Sequence, residues 1–165
     1  MAQITLGGNA IHTLGTIPVT GSSAPNFSLT IEDMSSASLE NYVGKKKILN
    51  IFPSVDTGVC ATSVRKFNEK AASLTNAVVL CISRDLPFAQ KRFCGAEGIS
   101  NVVMLSDFKN GGFGKSYGVE IKDGKFEGLH ARAIVVLDEN NLVIHSELVP
   151  EIAQEPDYDA ALAVL

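Results

Sequence analysis

The stretch Ile48-Leu49-Asn50-Ile51-Phe52-Pro53-Ser54-Val55-Asp56-Thr57-Gly58-Val59-Cys60 decides the fold of this chain. It begins with an apolar run, residues 48–52, typical of a strand that is covered on both faces. A helical pattern follows over residues 61–74, with its apolar side chains on one face. Cys60 therefore lies where a strand and a loop give way to a helix. Backbone N–H groups and the helix dipole favour a negative charge at such a point.

The residues of this loop each have two interpretations. The Cys60 thiol is expected to ionise easily at the start of a helix, and the thiolate is the reactive form, but a small buried core residue is the alternative. Thr57 lies one turn earlier and either directs its hydroxyl at the sulfur or caps the helix. Pro53 either closes the wall of a pocket or ends the strand. The combination favours a reactive cysteine.

Strands and helices alternate through the centre of the chain. Continuous apolar runs over residues 77–83 and 102–105 predict two further strands. The helix between them is predicted to begin near Asp85 and to end at Cys94-Gly95, where glycine is able to terminate it. This order implies a parallel sheet with right-handed crossovers.

The two ends of the chain complete the predicted fold. Residues 131–148 read as an antiparallel hairpin, and Glu155-Pro156-Asp157 opens a last helix. The result is an α/β, thioredoxin-like fold with a central mixed β-sheet flanked by helices. Alternating runs around Gly7-Gly8 predict an N-terminal β-hairpin extension within residues 1–17. With no repeat or linker in the sequence, we expect a single domain over residues 1–165.

The composition excludes several classes of function. The chain has 165 residues, of which 45% are hydrophobic and 19% charged, as in ordinary globular proteins. A net charge of −4 argues against nucleic acid as a partner. No segment approaches the ~20 apolar residues that span a membrane, and no signal peptide is visible, so we expect a cytoplasmic protein. Three cysteines do not make a disulfide framework, and their spacing predicts no metal site.

A reactive cysteine also needs a way to be regenerated and a group that stabilises charge. Cys81 lies inside an apolar strand and is assigned to the core, which leaves Cys94 as a second thiol, although its spacing alone does not decide the matter. Arg132 enters an otherwise apolar strand. It either provides the cation that an anionic leaving oxygen needs or faces water at the edge of the sheet. A Cys–His pair has no local signature.

Pro53, Thr57 and Cys60 reproduce the Pro-x-x-x-Thr-x-x-Cys pattern of the peroxiredoxins. The wider sequence resembles the bacterial thiol peroxidases, an atypical two-cysteine branch, and the resemblance extends over nearly the whole chain. The other matching stretches are residues 64–67, 79–83, 85–90, 92–98, 131–133 and 155–158.

The resemblance implies a role for each candidate residue. Cys60 would be the peroxidatic cysteine and Cys94 the resolving cysteine, while Thr57 and Arg132 would form the activating pair and Pro53 would shield the pocket. Members of the family are typically homodimers that reduce hydrogen peroxide and organic hydroperoxides to water and alcohols in antioxidant defence. Thioredoxin recycles them, and no metal, haem, flavin or nucleotide cofactor is required.

The expected reaction leaves Cys60 as a sulfenic acid, which condenses with Cys94 to an intramolecular disulfide that thioredoxin reduces. Because a disulfide needs its Cα atoms within ~7 Å, we expect local unwinding around both cysteines during turnover. Two other functions stay open at this point. One is a peroxide sensor that passes oxidation to a client protein, and the other is a non-catalytic binding module on the same fold.

Overall fold

A computed structural model describes all 165 residues of the chain. None of its helices combines the length and the apolar character needed to cross a membrane. In chain order the elements are β1 (Gln3–Leu6), β2 (Asn9–His12), β3 (Leu29–Thr30), β4 (Ser36–Ala37), a 3₁₀-helix (Leu39–Tyr42), β5 (Lys46–Ile51), α1 (Gly58–Ala71), β6 (Ala77–Ser83), α2 (Pro87–Glu97), β7 (Val103–Ser106), α3 (Gly112–Ser116), β8 (Ala133–Leu137), β9 (Val143–Leu148) and α4 (Tyr158–Ala163).

A 7-stranded mixed sheet, in the order β4-β3-β7-β6-β5-β8-β9, forms the centre of the fold. Strand β5 pairs in parallel with β6 and antiparallel with β8, and β6 pairs in parallel with β7. The predicted α/β fold, with a mixed sheet flanked by helices, is therefore confirmed. Strands β1 and β2 pair with each other in a separate antiparallel sheet, which confirms the N-terminal hairpin.

The two faces of the sheet bury separate apolar clusters. Successive side chains of a strand point to opposite faces, so Leu49 joins one cluster while Ile48 joins the other. Helix α1 packs Cys60, Val64 and Phe67 on the face that carries Ile48. The loop that joins β5 to α1 therefore delivers Cys60 directly into the core at the carboxyl end of β5.

Three details differ from the pattern in the sequence. Helix α1 begins at Gly58, so Cys60 lies inside its first turn and not before it. The prediction that Gly95 ends α2 is wrong, because Gly98 takes the left-handed conformation (φ 65°) that terminates the helix. Strand β8 begins at Ala133, so Arg132 precedes the strand that it was expected to enter.

Candidate active site

Cys60 is fully buried in the first turn of α1, and its sulfur contacts a guanidinium group. Arg132 Nη2 donates a hydrogen bond to Cys60 Sγ over 3.2 Å, across 72 residues of sequence. A positive charge and an N–H donor at a sulfur are the features that stabilise a thiolate. The start of α1 adds the partial positive charge of a helix N-terminus.

Arg132 is held in a fixed orientation. It is 1% exposed, so the alternative in which it faces water at the edge of the sheet is wrong. Its Nε donates to the carbonyl oxygen of Ile152 at 2.8 Å, and Nη1 has no hydrogen-bond partner although it is buried. A buried donor without an acceptor costs ~1–3 kcal/mol. Arg132 thus carries an unused NH₂ group, Nη1, on the same guanidinium that contacts the Cys60 sulfur, and this group is available to an oxygen of a bound substrate.

Thr57 and Pro53 lie in the loop that leads into α1. Thr57 occupies the position before the helix with extended backbone, but its side chain does not cap the helix. Its hydroxyl donates instead to the carbonyl oxygen of Ser54 at 2.9 Å, which leaves the hydroxyl oxygen able to accept a hydrogen bond. Pro53 is buried two residues after the end of β5.

Asp85 fixes the shape of this loop, a role that the sequence did not reveal. Its carboxylate accepts from the Ser54 hydroxyl at 2.6 Å, the Val55 N–H at 2.9 Å and the Ser83 hydroxyl at 2.6 Å. The sequence pattern assigned Asp85 to the start of a helix. Strands β5 and β6 are parallel neighbours, so their carboxyl ends lie at the same edge of the sheet. Asp85 follows β6 and the loop follows β5, and this arrangement could have predicted that Asp85 lies close to the loop.

Cys94 is half-buried on α2 and packs against the same apolar cluster as Cys60. It lines a cavity of about 400 Å³ between α2, the edge of β7 and the 3₁₀-helix. Burial, and after it the nearby carboxylate of Glu32, raise the pKa of the Cys94 thiol. No disulfide is present, so Cys60, Cys81 and Cys94 are all free.

Cys81 is confirmed as a core residue. It is fully buried in β6, and Asn50 Nδ2 donates to its sulfur at 3.7 Å. Burial raises the pKa of Cys81 to about 12. The side chain therefore stays a neutral thiol at physiological pH, and a neutral thiol is a poor nucleophile.

None of the three histidines forms a hydrogen bond with the Cys60 sulfur. His12 interacts with Asp123 at 2.8 Å on the N-terminal hairpin, and buried His130 interacts with buried Asp107 at 2.9 Å. Asp107 also accepts from the backbone N–H of Gly114, at the start of α3. The histidine–carboxylate pairs thus support loops, and the charged group that contacts the Cys60 sulfur is the guanidinium.

Comparisons with known proteins agree with this geometry. Residues 19–162 match the family model described as Redoxin. The chain is 61% identical over 165 residues to the thiol peroxidase of Mycobacterium bovis, a match that covers 100% of this chain and 99% of the relative.

Solved structures give the same result. A peroxiredoxin-like protein from Aquifex aeolicus matches with a TM-score of 0.91 and 36% identity, over 99% of this chain and 95% of its own. A thiol peroxidase from Chromobacterium violaceum matches with a TM-score of 0.90 and 25% identity, over 98% and 93%. These matches confirm the resemblance inferred from the sequence and give no support to the peroxide sensor. The chain belongs to the Redoxin family and, within it, to the thiol peroxidases.

Proposed function

We propose that this chain reduces hydrogen peroxide and organic hydroperoxides to water and alcohols through a sulfenic acid on Cys60. One observation carries the proposal: the buried Cys60 sulfur accepts a hydrogen bond from Arg132 Nη2 while Arg132 Nη1, also buried, has no partner. A nucleophilic sulfur and an unused charged donor are the two groups that an O–O bond needs for cleavage. The similarity to thiol peroxidases supports the same chemistry.

The first step joins the sulfur to one peroxide oxygen. An electron pair of the Cys60 thiolate forms the S–O bond, and the O–O bond breaks at the same time. The second oxygen leaves as hydroxide or alkoxide, which Arg132 Nη1 stabilises until a proton from water neutralises it. The Thr57 oxygen accepts a hydrogen bond from the peroxide O–H, and Pro53 limits the access of water.

Cys94 closes the cycle. Its thiol condenses with the Cys60 sulfenic acid, which releases water and forms the intramolecular Cys60–Cys94 disulfide, and thioredoxin reduces that disulfide by thiol exchange. The other candidate, Cys81, is sealed in β6 with its pKa raised to about 12 by burial. The two thiols supply both electrons, so the proposed cycle uses no cofactor.

The cycle needs α2 to open near its end. The Cys94 carbonyl oxygen accepts from the N–H groups of Gly98 and Ile99, which cap the helix. Breaking this last turn frees Cys94 without disturbing β7 or the start of α2. A disulfide form of the protein whose backbone superimposes on the reduced form at positions 60 and 94 would contradict the opening.

The remaining expectations are part of the proposal. We propose one domain over residues 1–165 and a homodimer in the cytoplasm. The apolar side chains of Leu86 (49% exposed) and Phe88 (64% exposed) at the start of α2 support an interface with a second copy. The odd number of cysteines, three, is not that of a disulfide framework and supports a compartment in which thiols stay reduced. Light scattering at micromolar concentration tests the dimer.

The experiment that tests the function couples peroxide consumption to thioredoxin, thioredoxin reductase and NADPH. We expect turnover with both hydrogen peroxide and cumene hydroperoxide. Cys60→Ser should abolish it, and Cys94→Ser should react once without turning over. Cys81→Ser is the matched control and should keep most of the activity. Recycling that depends on Cys81 and not on Cys94 would reverse the assignment of the two thiols, and a wild-type chain without turnover would overturn the function.

A further inference from the structure

The N-terminal hairpin binds a segment that follows β9, residues 149–153, which lies outside the main sheet. The Thr5 N–H donates to the Pro150 carbonyl at 2.8 Å, and the Ile152 N–H donates to the Thr5 carbonyl at 2.9 Å. Thr5 and Glu151 thus form an isolated parallel bridge. The segment is therefore fixed in position by the hairpin as well as by its own chain neighbours.

The carboxylate of Glu151 binds the turn of the same hairpin. Gly7 N–H donates to Oε1 at 3.0 Å, Gly8 N–H donates to Oε2 at 3.1 Å, and the Thr5 hydroxyl also donates to Oε2. Both glycines have positive φ, 58° and 82°, a conformation that presents successive N–H groups to one anion. The hydrogen bond from Thr5, followed by those from the backbone, lowers the pKa of Glu151 to about 2, so the carboxylate is charged at physiological pH.

The same segment orients the guanidinium of Arg132. The Ile152 carbonyl oxygen, next in sequence to Glu151, accepts from Arg132 Nε at 2.8 Å. The Val149 N–H donates to the carbonyl oxygen of Arg132 at 3.0 Å. The segment thus holds both the backbone and the side chain of Arg132. The only other hydrogen bond of that guanidinium joins Nη2 to Cys60 Sγ.

We propose that Glu151 is a positioning residue for the peroxidase reaction. By binding the hairpin turn to residues 149–153, it fixes the Ile152 carbonyl that orients Arg132 toward the Cys60 sulfur. Glu151 touches neither the sulfur nor the buried donor, so its effect is transmitted through the backbone of Ile152. This inference rests on the proposed function of Cys60 and Arg132, and it gives the N-terminal hairpin a part in the reaction.

The test compares the effects of replacing two carboxylates that bind the hairpin: Glu151, which binds its turn, and Asp123, which binds His12. Glu151→Ala removes all the contacts with the turn, and Glu151→Gln keeps one carbonyl acceptor for Gly7 N–H. Thr5→Val removes only the hydroxyl donor and leaves the backbone bridge intact. Asp123→Asn is the matched control, because Asp123 also holds the hairpin, through the backbone N–H and ring of His12 at 2.8 Å, but does not contact residues 149–153.

The measurement is the rate constant of Cys60 oxidation by hydrogen peroxide in a single turnover, followed across pH, together with the melting temperature of each variant. We expect Glu151→Ala to slow oxidation by about 10-fold, since small displacements of a reacting group are costly, and to move the pH profile to higher pH. The rate constant of Glu151→Gln should lie between those of Glu151→Ala and the wild type, and Thr5→Val should reduce the rate constant less than Glu151→Gln does. Asp123→Asn should keep the wild-type rate and profile, even where its melting temperature falls.

Opposite results are distinguishable. A Glu151→Ala variant that keeps the wild-type rate and pH profile contradicts the inference alone. Equal losses in Asp123→Asn and Glu151→Ala would also overturn it, because they would show a general effect of hairpin stability. If Glu151→Ala does not fold, Thr5→Val and Glu151→Gln decide by the same criteria. A wild-type Cys60 that does not react with peroxide contradicts the proposed function itself.

Discussion

Replacing Arg132 with methionine tests whether the guanidinium drives the reaction of Cys60 with peroxide. Methionine keeps a long unbranched side chain in this buried position but removes every N–H donor. Two of these donors are directly concerned with the reaction: Nη2 contacts the sulfur at 3.2 Å, and Nη1 is buried without a partner. A hydrogen bond from a charged donor contributes about 1.5–3 kcal/mol.

The size of the effect follows from these two contacts. The Nη2 contact exists before the reaction, so only part of its contribution is specific to the transition state. The Nη1 contact forms only when a substrate oxygen is present, so its whole contribution lowers the barrier. We therefore expect the barrier to rise by about 3–4 kcal/mol, comparable to the loss of an oxyanion donor. At 1.36 kcal/mol per decade, this corresponds to a roughly 10²- to 10³-fold slower reaction.

The assay follows a single turnover by rapid quenching and mass spectrometry in a Cys94→Ser background, because the chain has no tryptophan to report fluorescence. Arg65→Met is the matched control. Arg65 forms an exposed ion pair with Glu97 at 2.9 Å, and such pairs contribute little, so the control should stay within about twofold of wild type. A loss below about 10-fold in Arg132→Met, or an equal loss in the control, would refute the reasoning.

Two further predictions concern α2 and the buried Asp107–His130 pair. Gly95 lies inside α2 with open space around it, so Gly95→Ala should stabilise the helix by about 0.5–1 kcal/mol and slow formation of the disulfide roughly 2- to 5-fold. Gly98 has φ 65°, so Gly98→Ala should weaken the last turn of α2 and accelerate formation of the disulfide. Rapid-quench thiol counting measures this rate, and equal rates in both variants and the wild type would argue against unwinding. Asp107→Asn removes the buried carboxylate that interacts with His130 Nε2 at 2.9 Å and should lower the free energy of unfolding by about 1.5–3 kcal/mol near neutral pH. Burial raises the pKa of Asp107, but hydrogen bonds from His130 and the backbone outweigh it and hold the pKa below 3.8. The advantage of the wild type should therefore persist above pH 3.8 and disappear as the pH falls through the lower folded pKa; urea unfolding across pH would contradict this if the advantage grew in acid.

The sequence predicted the elements that depend on local pattern. The apolar runs that became β5, β6 and β7 are continuous because both faces of these strands are covered. The stripe of α1 was equally visible, but its first turn was not, since Gly58 and Val59 carry no helical periodicity. The end of α2 is set by which glycine adopts the left-handed conformation, Gly95 or Gly98. Tertiary contacts decide this, and the sequence pattern does not contain that information.

The candidate site was predictable as a set of residues but not as a set of contacts. Arg132 drew attention because a charged residue next to an apolar run needs a partner. Its two partners lie 20 and 72 residues away, and one of them is a backbone carbonyl that has no side-chain signature. The Asp85 anchor was missed for the same reason, because its contacts with Ser54 and Val55 cross 30–31 residues.

The environment of Cys94 gives the proposed cycle an order of events. While α2 is intact, burial beside Glu32 keeps this thiol protonated and poorly reactive. Opening of the last turn moves the sulfur out of the apolar cavity and away from that carboxylate, so the movement that delivers the thiol also promotes its ionisation. In the folded protein, therefore, only Cys60 reacts with peroxide. Cys94 becomes reactive only after the last turn of α2 has opened.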